Sequence, residues 1–219
     1  MIDTALLAET DLFAKLDQER LERIAAAGVI RRLERGDILF HEDDDAEAVF
    51  IVNSGRIAIS NKSFDGRESM VALMEHGDLF GEMSFFDKNG RSAEARALEH
   101  SEVVSLPFSA LDELYTQDPA RLWNVVDMLS LRLRAMDAAL ADSVFLDVTG
   151  RTAKRLLDIA GDDDEFTLPV TQEELAGMVG ASRERVNKSI AQFIKLGWMA
   201  QEGAGYRITD RRQLEIRAM

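Results

Sequence analysis

Between Asp118-Pro119 and Phe145 the chain runs without a glycine or an interior proline. Along this stretch Leu122, Val126, Leu129, Leu133, Met136 and Leu140 step by 4, 3, 4, 3, 4. A cap-type aspartate followed by proline is a helix start, and the alternating step is a heptad seam. The implied helix is about 39 Å long at 1.5 Å per residue, longer than a small β-roll is wide. One narrow seam on so long a rod predicts a parallel two-stranded coiled coil between two copies of the chain. Whatever flanks this helix has to fold as separate units on either side of it.

The two flanks read differently. Residues 1–28 carry helical signals: Asp11-Leu-Phe, then Asp17 as the cap of ERLERIAAAG, closed by Gly28. From Val29 the period shortens. DILF, AVFIV, RIAIS, SMVALM and VVSL are short apolar alternations separated by Gly36-Asp37, Ser54-Gly55, Asp65-Gly66 and Gly77-Asp78. Strands of this length with turn residues between them predict an all-β roll or barrel, with SFDGRE as a hairpin turn. After the long helix, Asp147 caps VTGRTAKRLLDIAG, and Asp162-Asp163-Asp164-Glu165 reads as a solvated loop. Thr171-x-x-Glu174 is a capping box, Gly180-Ala181 a tight turn, and Ser182 the cap of a helix to about Leu196. Two short helices around a glycine turn, then two strands around Gly203-Ala204-Gly205 and a last short helix, predict a winged helix-turn-helix. The fold class is α+β, divided as 1–117, 118–146 and 147–219.

Composition removes several classes of function. The sequence has no cysteine, which excludes disulfides, thiol redox sensing and cysteine-ligated clusters. His41, His76 and His100 are scattered, without the spacing of a metal site, so no metal is expected. No Ser/His/Asp or carboxylate-pair arrangement stands out, and a metal-dependent β-barrel enzyme would need clustered ligands; no catalysis is expected. No apolar run reaches the length of a membrane span and the N-terminus lacks a cationic signal head, so a cytoplasmic protein is expected. The net charge of −14 is unevenly spread. Residues 1–147 hold 15 basic against 29 acidic residues, and residues 148–219 hold 11 of each. The C-terminal part is therefore not hostile to phosphate, although charge alone does not establish a nucleic-acid partner.

The helix after Ser182 has the chemistry to read bases. Arg183, Glu184, Arg185, Asn187 and Lys188 are expected outward, with Val186, Ile190 and Phe193 inward. Arg183 can donate twice to guanine O6 and N7, Glu184 can accept from cytosine N4, and Lys188 can reach guanine or phosphate. Any single charge here is a solvated surface residue; the capping box, turn, Arg-Glu pair and wing together are more specific. In FGEMSFFDKNGRSAEARA (80–97), Glu82 and Arg91 share one short loop, and a surface salt bridge is the plain explanation.

These elements in this order resemble the CRP/FNR superfamily of bacterial transcription regulators, close to its cyclic-AMP receptor branch. The resemblance spans the β-roll, the dimer helix, the FLDVTGR hinge (145–151) and SRERVNKSI. It implies that Arg183 and Glu184 read bases in an inverted repeat of TGTGA-like half-sites. Lys188 stands where the family commonly has arginine and Arg185 where it usually has threonine. Thr171, Gln172, Ser182, Arg185 and Asn187 complete the implied DNA-facing set, and RNA polymerase is the implied protein partner. GEMSFF followed by RSA resembles the family's phosphate-binding cassette. By that resemblance Gly81, Glu82, Met83, Ser84, Arg91, Ser92 and Ala93 hold a cyclic nucleotide. A guanidinium and a hydroxyl suit a compact phosphodiester, and a fixed carboxylate suits a free ribose 2′-OH. Glu82 and Arg91 would then grip two parts of one ligand.

One position departs from the family. Its cyclic-AMP sensors typically carry Thr-Ser on the dimer helix, where this chain has Met136-Asp137. An ionised carboxylate accepts either adenine N6–H₂ or the paired N1–H and N2–H₂ of guanine, and the second matches its geometry better. The resemblance favours cyclic AMP; the carboxylate leans toward cyclic GMP, and the base stays open. Within the same fold, response to another effector or constitutive DNA binding is the alternative; a cyclic-nucleotide module acting on a protein partner is the competing class, and the winged helix-turn-helix counts against it.

Overall fold

The computed structural model describes residues 2–14, 16–62 and 68–219. It divides into two compact units, the first of residues 1–67 and 71–133, the second of residues 68–70 and 134–219.

The first unit opens with α1 (Thr4–Glu9) and α2 (Gln18–Ala27), the latter capped by Asp17 Oδ1 accepting from the Arg20 amide at 2.9 Å. Asp11-Leu-Phe lies in a turn between them rather than starting a helix. The strands follow as β1 (Val29–Leu33), β2 (Ile38–Phe40), β3 (Ala48–Ser54), β4 (Ile57–Lys62), β5 (Glu68–Met74) and β6 (Leu79–Phe80). A one-turn helix α3 (Met83–Asp87) separates these from β7 (Glu94–Ala97) and β8 (Ser101–Pro107). Apart from Glu68, the turn read in SFDGRE lies outside the described residues. One sheet runs β1-β8-β3-β6 and another β2-β7-β4-β5. Phe50, Phe80, Ala95, Ala97 and Val103 form a core shared by the two sheets. Leu7, Leu12, Phe13, Leu106 and Leu111 form another, which the N-terminal helices and α4 (Phe108–Gln117) close. The segment 81–93 thus leaves one sheet at β6 and enters the other at β7. Its ends are fixed by Phe50↔Phe80 and by Ile59↔Ala95.

A 3-10 turn at Pro119–Arg121 precedes α5 (Leu122–Phe145). Asp118 does not cap it with its side chain; Oδ2 instead accepts from Arg121 Nε at 3.0 Å and Arg20 Nη1 at 3.5 Å. Two arginines within reach outcompete a backbone amide for that carboxylate. Along α5, Val125 and Met128 are buried at 4%, whereas the six seam residues are 39–64% exposed.

The second unit contains α6 (Val148–Ala160), β9 (Glu165–Phe166), α7 (Gln172–Val179) and α8 (Arg183–Lys195). β10 (Met199–Glu202), β11 (Gly205–Ile208) and α9 (Arg211–Arg217) follow. Asp147 caps α6 through the Gly150 amide at 2.8 Å, and the Thr171/Glu174 capping box is complete. Ser182 is the residue before α8, but its hydroxyl makes no cap bond. Glu165 is not mere loop: it pairs with Arg207 as Phe166 pairs with Tyr206, adding a third strand to the wing. Gly180 (φ 67°) makes the turn between α7 and α8, a left-handed conformation that glycine adopts without strain. Leu156, Leu175, Val179, Val186, Phe193 and Leu214 are buried beneath these elements.

Candidate functional site

Glu82 and Arg91 are both buried, at 2% and 4% exposure, and they do not pair with each other. Glu82 lies just after β6 and accepts from Arg132 Nη1 of α5 at 2.5 Å. Arg132 Nη2 donates to the Leu79 carbonyl, also at 2.5 Å. Burial lifts the Glu82 carboxyl above the ordinary carboxylate range, and the Arg132 guanidinium works against that lift. Sequence reasoning missed Arg132, although its signal was present. It continues the inward stripe of Val125 and Met128 at steps of 3 and 4, and a cation on an inward stripe asks for a partner.

Arg91 turns to the backbone. Nη1 donates to the Gly81 carbonyl and Nη2 to the Ala48 carbonyl, each at 2.8 Å. Its Nε is buried and has no acceptor. Burial pulls the guanidinium below its ordinary range, with Asp44 and then Glu82 opposing. Gly81 sits at φ 78°, and a Cβ there would lie 2.6 Å from Arg91 Nη1, so this approach requires glycine. Ser84 Oγ donates to the Gly90 carbonyl at 3.1 Å and ties the two ends of the segment. Met83 and Ser92 are exposed, with the Ser92 hydroxyl 3.5 Å from the Met83 sulfur; Ala93 is buried. The structure therefore gathers Gly81, Glu82, Met83, Ser84, Arg91, Ser92 and Ala93 around one short segment. Met136 and Asp137 fall in the other unit and stay exposed. The gathered groups fit an anionic ligand with hydroxyls: an orphaned guanidinium donor, an exposed hydroxyl and a held carboxylate.

In the second unit Arg183, Glu184, Arg185 and Lys188 are exposed on α8, over buried Val186, Ile190 and Phe193. Asn187, expected outward, is half-buried, because its helical position lies beside the inward Val186–Ile190 stripe. Ser182 and Thr171 are exposed. Gln172 is half-buried, and its amide donates to the Tyr206 hydroxyl on β11 at 3.1 Å, fastening α7 to the wing. Arg151 braces the turn from below, Nε donating to the Val179 carbonyl at 2.9 Å and Nη1 to the Leu146 carbonyl at 2.8 Å.

Residues 30–118 match the family described as cyclic nucleotide-binding domain, and residues 150–217 match the Crp-like helix-turn-helix domain. The CRP-like cAMP-activated global transcriptional regulator of Mycobacterium tuberculosis is 35% identical over 97% of this chain and 98% of its own. FixK2 from Bradyrhizobium japonicum shares the fold with a TM-score of 0.78 at 19% identity, over 88% of this chain and 98% of that one. The c-di-GMP responsive regulator CLP of Xanthomonas campestris reaches 0.76 at 25% identity, over 88% and 99%. With both domains matched in order and a relative aligned almost end to end, the chain belongs to the CRP/FNR family of DNA-binding transcription regulators, which are not enzymes.

Proposed function

We propose that this regulator binds DNA as a homodimer under the control of a cyclic nucleotide, with cyclic AMP the first candidate and cyclic GMP the alternative. The observation that carries the reading is the separate holding of Glu82 and Arg91, buried in one segment and committed to different partners. In this reading Arg91 offers its Nε–H to a phosphodiester oxygen, with Ser92 turning its hydroxyl to the same anion. Glu82 accepts from the ribose 2′-OH while it still faces Arg132. Arg132 belongs to α5, so a ligand that shares Glu82 alters the hold on that helix, which is how binding can bias presentation of the reading helix. The exposed seam of α5 supports dimerisation: six large apolar residues in one stripe are a surface that water disfavours. Met136 strengthens the seam, and Asp137 is the candidate for discriminating the two bases.

Residues 1–117 form the effector domain, 118–146 the dimer helix and 147–219 the DNA-binding domain. Arg183 and Glu184 read a half-site related to TGTGA, and Arg185, Asn187 and Lys188 flank them. Thr171, Gln172 and Ser182 approach the phosphates. The dimer meets RNA polymerase in the cytoplasm; no helix among the described residues is long and apolar enough to cross a membrane. The M. tuberculosis relative is named as cAMP-activated, which supports the first candidate, whereas the Xanthomonas relative is described as responding to c-di-GMP, which keeps the base open. Fluorescence anisotropy on an inverted-repeat duplex, with cyclic AMP or cyclic GMP added, tests the reading. One nucleotide should tighten binding; equal affinity for operator and random duplex with either nucleotide would refute it.

A further inference from the structure

Arg91 is a guanidinium almost without water, and among the described residues no carboxylate lies within salt-bridge distance of it. Two of its five donors are taken by the Gly81 and Ala48 carbonyls. What else stabilises the charge is aromatic. The Phe40 ring centroid is 4.3 Å from the guanidinium carbon, and the Phe50 centroid 5.2 Å. A ring face carries the negative side of its quadrupole toward a cation, and the attraction is strongest where the cation has lost its water. Phe40 is itself fixed from behind, 5.6 Å from Phe50 and 6.2 Å from Phe80, while those two stack at 5.5 Å. It ends β2, and the loop that follows returns to the same arginine: Asp43 N–H donates to the Arg91 carbonyl at 2.8 Å, and Arg91 N–H to the Asp44 carbonyl at 2.9 Å.

We propose that Phe40 is a positioning residue of the anion site, whose ring face holds the Arg91 guanidinium in its binding geometry and so sets affinity for the phosphate, whichever base the ligand carries. The proposal rests on the cyclic-nucleotide reading above. Its logic is preorganisation: a guanidinium held by ring and carbonyls has already lost its water and most of its freedom before an anion arrives. Without the Phe40 face, the guanidinium is held by two hydrogen bonds and the more distant Phe50 ring, and draws water or rotates away. The carbonyls pin the two outer nitrogens and leave the face of the guanidinium to the rings.

Calorimetric titration of the full chain with cyclic AMP and cyclic GMP, on the parent, Phe40→Leu and Phe40→Tyr, tests this. Leucine keeps most of the apolar bulk and removes the π face; tyrosine keeps the face. Phe40→Leu should bind both nucleotides about tenfold more weakly, by the same factor, and Phe40→Tyr should stay within about twofold of the parent. Parental affinity in Phe40→Leu, or equal losses in both variants, would overturn the proposal, the second by showing that volume rather than the ring face matters. The Arg91 Nε–H proton resonance separates this from failure of the effector reading. Ring current should shift it upfield in parent and tyrosine variant, and leucine should reduce that shift to what Phe50 alone gives. A parent that binds neither nucleotide sinks the effector reading and the affinity role with it, while an Nε–H signal unmoved by leucine sinks the ring contact itself.

Discussion

Arg91 and Arg183 are the same residue type put to opposite use. Arg91 is buried at 4% exposure, held by two carbonyls and two rings. Arg183 stands exposed at the first position of α8, and among the described residues no carboxylate lies within salt-bridge distance of it. The buried cation has surrendered its hydration as part of folding, and in the proposed reading an incoming anion finds its charge already desolvated. The exposed cation keeps its water and its rotamers, and in the proposed reading gives up both on binding DNA. On that reading, interior charges are tied to stability as well as to recognition, whereas the exposed charges of α8 bear on recognition alone. A mutation should register in different assays according to which kind it strikes.

The largest effect expected from this contrast is at Arg132→Leu. It leaves Glu82 buried without its cation, and breaking such a pair costs about 3 kcal/mol of stability in the absence of any ligand. Urea denaturation checks it, and the double variant Glu82→Gln, Arg132→Leu should recover part of the loss. Arg183→Ala should leave the urea midpoint unchanged while weakening operator binding by roughly 1–3 kcal/mol and relaxing specificity at one guanine. Anisotropy against operator and single-base variants measures both; a lower midpoint would break the contrast. The smallest effect concerns Asp147, an exposed charge that nevertheless has structural partners. Its carboxyl is held below its ordinary range, first by the Gly150 amide and then by Arg217. A depressed acid stabilises above its unfolded pKa and loses that contribution as pH falls through the folded one. Asp147→Ala should cost about 1 kcal/mol near neutral pH, and its gap to the parent in thermal melting should narrow below about pH 4. A gap that is constant with pH would assign the effect to the backbone rather than to the charge.

Much of this molecule was legible in one dimension because local chemistry decides it. The capping box at Thr171-x-x-Glu174, the caps at Asp17 and Asp147, and the glycine turn at Gly180 each satisfy backbone groups within four residues. The α5 seam is periodic, and the segment 81–93 carries its residue types in order. The two-residue strand β6 and the four-residue β7 were not legible, because such short runs have no period of their own and exist only through pairing with β3 and β4. Glu165 looked like the end of an acidic loop until Arg207 stood opposite it.

The same division runs through the candidate site. Sequence alone determined that a carboxylate and a guanidinium share one loop, and that Arg183 and Glu184 open the second helix of a helix-turn-helix. Only the tertiary structure decided that Glu82 answers Arg132, fifty residues away, and that Arg91 answers Gly81, Ala48 and Phe40. The reason is physical. A cap or a turn closes over a few residues, whereas the partner of a buried charge is whichever donor, acceptor or ring the packing of separate elements brings within reach after both have left water.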